Sequence, residues 1–421
     1  MALLALLLCC VTALPAEARQ KESAEDHFRR GVTLQKAGDV DGAIAEYRAA
    51  LRLNPDFSDA HNNLGMMLRR KGDLDGAVAE YRKALGIAPG DVDVHNNLGN
   101  ALRDKGDLDG AIAEYRAAIR LDPGYPLAHN NLGAALRAKG DLDGAIAEYG
   151  TAIRLDPQDA DAHANLGNAL RLKKDLDGAI AECRTALRID PKNANAHNTL
   201  GVSLRAKGDL DGAIAEYRAS IEIDPNDADV HSNLCNALRL KGDLEAALAE
   251  CRTAIRLDPK DAGVHNVLGV VLRAKGDVDG AIAEYRSSLA IDPNDADVHG
   301  NLGNALRLKG DLDGAIAEYR TAVRLAPDDA DVWNTLGWLY ATAKDPRVQD
   351  AGKAVECAQK AVSLSQEKDA DMLDTLAEAY FVSGEYDKAI EAEEKAVKLK
   401  PDEESYQKRL EKCRQAKQAK K

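Results

Sequence analysis

Proline recurs at 55, 89, 123, 157, 191, 225, 259, 293 and 327, every step being 34 residues, and the stretches between repeat almost letter for letter. A fixed period of this length constrains a chain more than its composition can. Each repeat is one supersecondary element that cannot bury its apolar face alone, so neighbours must stack into a solenoid. Only three Phe and two Trp stand among 421 residues. That scarcity of large core side chains argues against one conventional globular core and suits thin helices packed on small residues.

With Pro as position 32 of the repeat, His or Trp falls at 4, Leu at 7, Gly at 8, Leu or Tyr at 11, Ala at 20, Tyr or Cys at 24 and Ala at 27. In the third repeat these are His95, Leu98, Gly99, Leu102, Ala111, Tyr115, Ala118 and Pro123. The first apolar set recurs at spacings of three and four, the mark of one helical face. Lys105 to Gly110 interrupts it: Gly106 can take the left-handed conformation that ends a helix, and Asp107 can cap the next. A second apolar face, Ala111 to Ile119, runs until Asp-Pro ends it. Each repeat is therefore helix A, tight turn, helix B, tight turn. Gly at 8 and Ala at 20 and 27 remove bulk where the two helices approach.

This pattern resembles the tetratricopeptide repeat, and the resemblance covers nearly everything from Ala24 to Pro401. It implies an all-α fold, a right-handed superhelical solenoid of antiparallel helix pairs. Nine repeats occupy residues 24–329, with Arg30 in place of Leu at position 7 of the first, as an N-terminal cap would have it. A tenth spans 330–367 and carries about five extra residues within Ala343 to Gly352; an eleventh spans 370–403. Residues 404–421 read as a polar capping helix with a basic tail, of the kind that solubilises the open edge of a solenoid.

Residues 1–18 read as a signal peptide: Ala2 to Leu14 is uncharged and apolar, and Ala16-Glu17-Ala18 forms a small-residue cleavage pattern. The run is too short to span a bilayer, although no basic residue precedes it. The expected location is the periplasm or cell envelope. Cleavage would leave five cysteines, an odd number that argues against a disulfide framework. Cys183 and Cys251 replace Tyr at 24 and Cys235 replaces Gly at 8, so all three are expected as small buried hydrophobes.

A formal net charge of −14 argues against a general nucleic-acid binder, and disfavours acidic partners for the same reason. No P-loop, nucleophile elbow, H-E-x-x-H or C-x-x-C pattern stands outside the leader, so no enzyme and no cofactor is expected. Nine histidines, His27, His61, His95, His129, His163, His197, His231, His265 and His299, all occupy position 4. Equivalent positions of stacked helices lie roughly 8–10 Å apart, too far for shared metal ligation, so no metal is expected and the imidazoles read as packing groups.

On a helix advancing about 100° per residue, positions 7, 8 and 11 stay within about 60° of position 4, while 2, 5, 6, 9 and 12 point about 80–160° away. That outer side is filled with Asn and Arg. Position 5 carries Asn62, Asn96, Asn130, Asn198, Asn266 and Asn334; position 6 carries Asn63, Asn97, Asn131, Asn165, Asn233 and Asn301. Asn100, Asn168, Asn236 and Asn304 take position 9 in alternate repeats, a 68-residue period that duplication of a repeat pair explains. Arg69, Arg103, Arg137, Arg171, Arg205, Arg239, Arg273 and Arg307 hold position 12 without a break. Lys at position 14, Lys71 through Lys309, meets the helix dipole. Trp338, at position 9 of the tenth repeat, is expected against the longer loop, and Trp333 as a core residue.

Asn is a mediocre helix former, so a double row of it at mid-helix costs stability that Ala or Lys would not. Its amide offers a donor and an acceptor together, which can clamp the backbone of an extended peptide. The H-x-N-L-G form (His95 to Gly99) is similar to the repeats preceding the catalytic region of O-linked N-acetylglucosamine transferase. There an asparagine ladder along the concave groove holds substrate polypeptide; the similarity carries over to the position-6 asparagines, and Thr199, Val267 and Thr335 interrupt it. The catalytic domain has no counterpart. The resulting expectation is a non-enzymatic scaffold binding a protein or extended peptide in that groove. The alternatives are the substrate-recruiting subunit of a separately encoded glycosyltransferase, and self-association through the solenoid ends.

Overall fold

The computed structural model describes Glu22 to Lys420, and every regular element among those residues is an α-helix, 23 in all. The apolar leader lies outside the described residues, and among them no helix is long and apolar enough to cross a membrane. The chain divides into two compact units, one running to Lys207 and one starting at Gly208. Both are built of antiparallel helix pairs.

Local chemistry sets the helix ends. In the third repeat helix A is Val92–Asp104 and helix B Leu108–Leu121. Asp91 caps the first by accepting from Val94 N at 3.1 Å, and Asp107 caps the second by accepting from Gly110 N at 2.9 Å. Gly106 between them sits at φ 85°, and Asp122 before Pro123 is extended. In the fifth repeat Lys174 holds the glycine slot at φ 68°, a conformation that costs a side-chain-bearing residue about 1 kcal/mol.

Glycine at position 8 is explained by its neighbour at 24. A Cβ on Gly99 would lie 2.5 Å from the Tyr115 ring, and the same ring-over-glycine contact recurs at Gly65 and Tyr81, Gly133 and Tyr149, Gly269 and Tyr285, and Gly303 and Tyr319. These tyrosines are fully buried, and in the first compact unit Tyr81, Tyr115 and Tyr149 form a continuous core with Leu64, Leu98 and Leu132. Gly99→Val should loosen the third repeat by about 2 kcal/mol through overpacking. Amide exchange across Val92–Leu121 reads this locally, as suits a repeat array; unchanged protection would rule out the tight contact.

The histidines tie three elements together. His95 Nδ1 lies 2.6 Å from Glu114 Oε2 on helix B of its own repeat, and Nε2 lies 3.1 Å from the Pro89 carbonyl of the repeat before. His61, His129, His163, His231, His265 and His299 repeat both contacts. In the tenth repeat Trp333 Nε1 donates to the Pro327 carbonyl at 3.1 Å in their place. Position-14 lysines do more than meet a dipole. Lys71 pairs with Asp41 of the preceding repeat at 2.6 Å, and Lys105–Asp75, Lys139–Asp109, Lys241–Asp211 and Lys309–Asp279 follow the same offset. The aspartates of these pairs are mostly exposed, so solvent screens each pair and leaves it a minor contributor to stability.

Both ends depart from the repeat. Arg30, at the position that carries Leu in the following repeats, forks onto Glu22 at 2.6 and 2.8 Å and reaches Glu46 at 3.2 Å. At the other end helix Glu404–Ala419 buries Tyr406, Leu410 and Cys413. Its Arg409 lies 2.7 Å from Asp374 and 2.7 Å from Glu378, with the guanidinium 5.1 Å from the centre of the Trp338 ring. Trp338 is thus met by the C-terminal helix, a partner the sequence reading did not foresee.

The cysteine expectation needs correction. Cys235 and Cys251 form a disulfide with Cα atoms 5.3 Å apart, while Cys183, Cys357 and Cys413 are buried thiols. The cause is the facing of positions 8 and 24: where other repeats set Gly against Tyr, the seventh sets Cys against Cys. Burial pushes the Cys357 thiol up to about 12 and Cys413 up to about 11, which leaves both unreactive near neutrality.

Candidate functional site

The outer side of helix A holds the asparagines and arginines, but not as a row of freely solvated groups. Asn97 Nδ2 donates to Asn62 Oδ1 of the preceding repeat at 3.1 Å. Asn131 donates to Asn96 at 2.8 Å, Asn165 to Asn130 at 3.1 Å, and Asn301 to Asn266 at 3.2 Å. Position 6 of one repeat is therefore bonded to position 5 of the one before. Most of these side chains are half-buried, and Asn96 is only 6% exposed. The expectation of an open face is corrected to that extent, because adjacent A helices come close enough for their amides to touch.

This pairing was legible in the sequence and missed. Wherever position 5 is Asn between the second and eighth repeats, position 6 of the next repeat is also Asn; where it is Ala164, Ser232 or Gly300, the next repeat has Thr199, Val267 or Thr335. Asn198 and Asn233 stand in the same sequence relation; each is half-buried, the first in one compact unit and the second in the other. Asn63, whose predecessor Phe28 offers no amide, donates to the Tyr47 hydroxyl at 3.4 Å. Asn334 is half-buried in the tenth repeat with its Oδ1 unbonded.

The 68-residue alternation also has a structural content. Asn100 Oδ1 accepts from the Tyr115 hydroxyl at 2.8 Å, and Asn304 from Tyr319 at 2.9 Å. Where position 24 is Cys, the amide turns to arginine instead: Asn168 accepts from Arg171 Nη2 and Asn236 from Arg239 Nη2, each at 2.8 Å. Burial pushes the Tyr115 phenol up to about 12, so it stays a donor throughout the neutral range. Among the remaining arginines Arg69 meets Asp104 at 2.6 Å and Arg103 lies 3.6 Å from the same carboxylate. Arg137, Arg205 and Arg273 are half-buried, and Arg137 and Arg273 stand beside the Tyr149 and Tyr285 phenols. Arg307 alone of the row is exposed.

In the second compact unit this face opens into a cavity of about 450 Å³, whose lining includes Asn236, Arg239, Asn266, Val267, Val270, Asp297, Gly300, Asn301 and Asn304. Amides that can both donate and accept, one cation in Arg239 and two carboxylates in Asp297 and Asp329 make a polar surface fitted to a backbone. No arrangement of nucleophile and base appears among them.

Family models described as tetratricopeptide repeat match residues 28–92, 232–296 and 347–404, and residues 272–339. A further one, described as TPR repeat, matches 99–136, 135–172, 167–204 and 203–238. Tetratricopeptide repeats thus make up most of the chain, and it belongs to that family. Among solved structures it is similar to the APC/C hetero-tetramer Cut9–Hcn1, at 15% identity over 93% of this chain and 90% of that one, with a TM-score of 0.52. MamA is 27% identical over 39% of this chain and 97% of its own, with a TM-score of 0.36. YrrB, described as a TPR protein with an unusual peptide-binding site, is 23% identical over 47% and 97%, with a TM-score of 0.38. No curated protein matches the chain.

Proposed function

We propose that this protein is a non-enzymatic scaffold that holds a protein or extended peptide along the helix-A face. One observation carries the reading: the amides are fixed in register by pairing across repeats, as Asn97 is on Asn62 and Asn131 on Asn96. Each bond engages one N–H of one amide and one lone pair of the other, and leaves both with further donors and acceptors. Side chains already ordered lose less entropy when a ligand arrives, so a pre-set amide row suits recognition of main-chain N–H and C=O groups whatever the sequence. The apolar run at Ala2 to Leu14 supports export, and with it a partner met in the periplasm or cell envelope.

An array of random nonapeptides tests the reading. Replacing Asn97, Asn131, Asn165 and Asn301 together with Ala should lower retention at least about tenfold across the array, while far-ultraviolet circular dichroism stays unchanged, because each lost neutral hydrogen bond costs only about 1 kcal/mol. Retention equal to that of the parent chain would remove the helix-A face from the function.

A further inference from the structure

The amide pairing stops twice in the second compact unit, at Ser232 with Val267 and at Gly300 with Thr335, and the cavity on this face lies where it stops. At each break one of the two amides is replaced by an apolar or absent side chain on the cavity wall, Val267 at the first and Gly300 at the second, while Ser232 and Thr335 stay polar and lie outside the lining. Val267 replaces Asn at position 6, and Val270 sits at position 9 between Asn236 and Asn304 of the neighbouring repeats. Both valines line the opening together with Val332, and all three are half-buried.

Gly300 is the informative residue. Glycines at position 8 make room for a tyrosine ring, and those that start helix B accommodate the capping aspartate. A Cβ on Gly300 would meet only Val332 Cγ2, at 3.7 Å, an ordinary contact. No packing requirement keeps this position bare, although glycine inside a helix destabilises it relative to alanine. What its bareness preserves is space.

We infer that this cavity is a specificity pocket for one aliphatic side chain of a bound peptide, flanked by an acidic residue toward Arg239 and a basic residue toward Asp297; the inference rests on the peptide-holding reading and adds selectivity to it. The three valines supply an apolar wall, and the intact Asn266–Asn301 pair at 3.2 Å lies beside it for the peptide backbone. Arg239 stands in the last turn of helix A of the seventh repeat, and Asp297 is exposed in the first turn of helix A of the ninth. Opposite charges on either side of an apolar wall match a segment that carries acid, aliphatic and base in turn.

The experiment uses the full chain and fluorescein-labelled Gly-Ser nonapeptides carrying Glu and Lys on either side of a central Leu or Ser, read by fluorescence anisotropy. Leu should bind roughly tenfold more tightly than Ser, the ratio expected for burying one such side chain. Gly300→Leu fills the space and should bring the Leu peptide down to the level of the Ser peptide measured on the same variant. Val267→Asn, which restores an amide at the wall, should do the same and guards against a folding defect in the first variant. Exchanging Glu and Lys for Gln should weaken binding several-fold at low salt only. Equal affinity for Leu and Ser in the parent chain, or a preference that survives both variants, overturns the pocket and leaves the peptide-holding reading standing. Failure of every peptide to bind the parent chain overturns both.

Discussion

Glu393→Gln should stabilise the eleventh repeat, and the gain should grow with pH. Glu393 lies on helix B of that repeat (Tyr386–Leu399) with no exposed surface, facing Asp374 on helix A (Ala370–Val382). Burial, reinforced by the Asp374 charge, pushes its carboxyl up to about 9 from an ordinary 4.5, with Arg409 opposing the shift; burial pushes Asp374 up as well. The folded state therefore holds a proton that the unfolded chain releases above pH 4.5. The contribution of this group to stability is complete below that pH and is lost as pH rises to about 9, at about 1.4 kcal/mol per pH unit. At pH 7 glutamine in its place should gain about 3 kcal/mol. Unfolding of this region followed by amide exchange at pH 5, 7 and 9 should show a falling profile in the parent chain and a flatter one in the variant. A variant that keeps the parent profile would place the titrating group elsewhere.

Reduction of the Cys235–Cys251 disulfide should lower the stability of the seventh repeat by about 3 kcal/mol, the chain-entropy value for a closed loop of about this length. Cys235→Gly combined with Cys251→Tyr restores the pairing that other repeats use. That double variant should keep much of the stability and lose all sensitivity to a thiol reductant. If reductant leaves the parent chain unaffected in denaturant titration, the two sulfurs are not joined.

The repeat period made the helix pairs readable because each turn is dictated by residues next to one another, such as Gly106 with Asp107 and Asp122 with Pro123. Contacts between repeats were harder to see. Asn62 lies 35 residues from Asn97 and Asp75 lies 30 from Lys105, so neither is visible in a reading that treats each repeat by itself. They become visible when substitutions at two positions are found to move together, as positions 5 and 6 do across neighbours and positions 8 and 24 do within Cys235 and Cys251. The Arg409 cluster has no such trace, since the C-terminal helix occurs once and has no sister copy for comparison.

The bonds between repeats join residues at constant offsets, and the position-9 floor alternates with a period of two repeats. Unequal recombination within a gene of this kind, gaining or losing 68 codons at a time from the fourth repeat onward, would recreate the junctions without a mismatched neighbour. Array length is thereby free to drift over generations while each seam stays chemically the same.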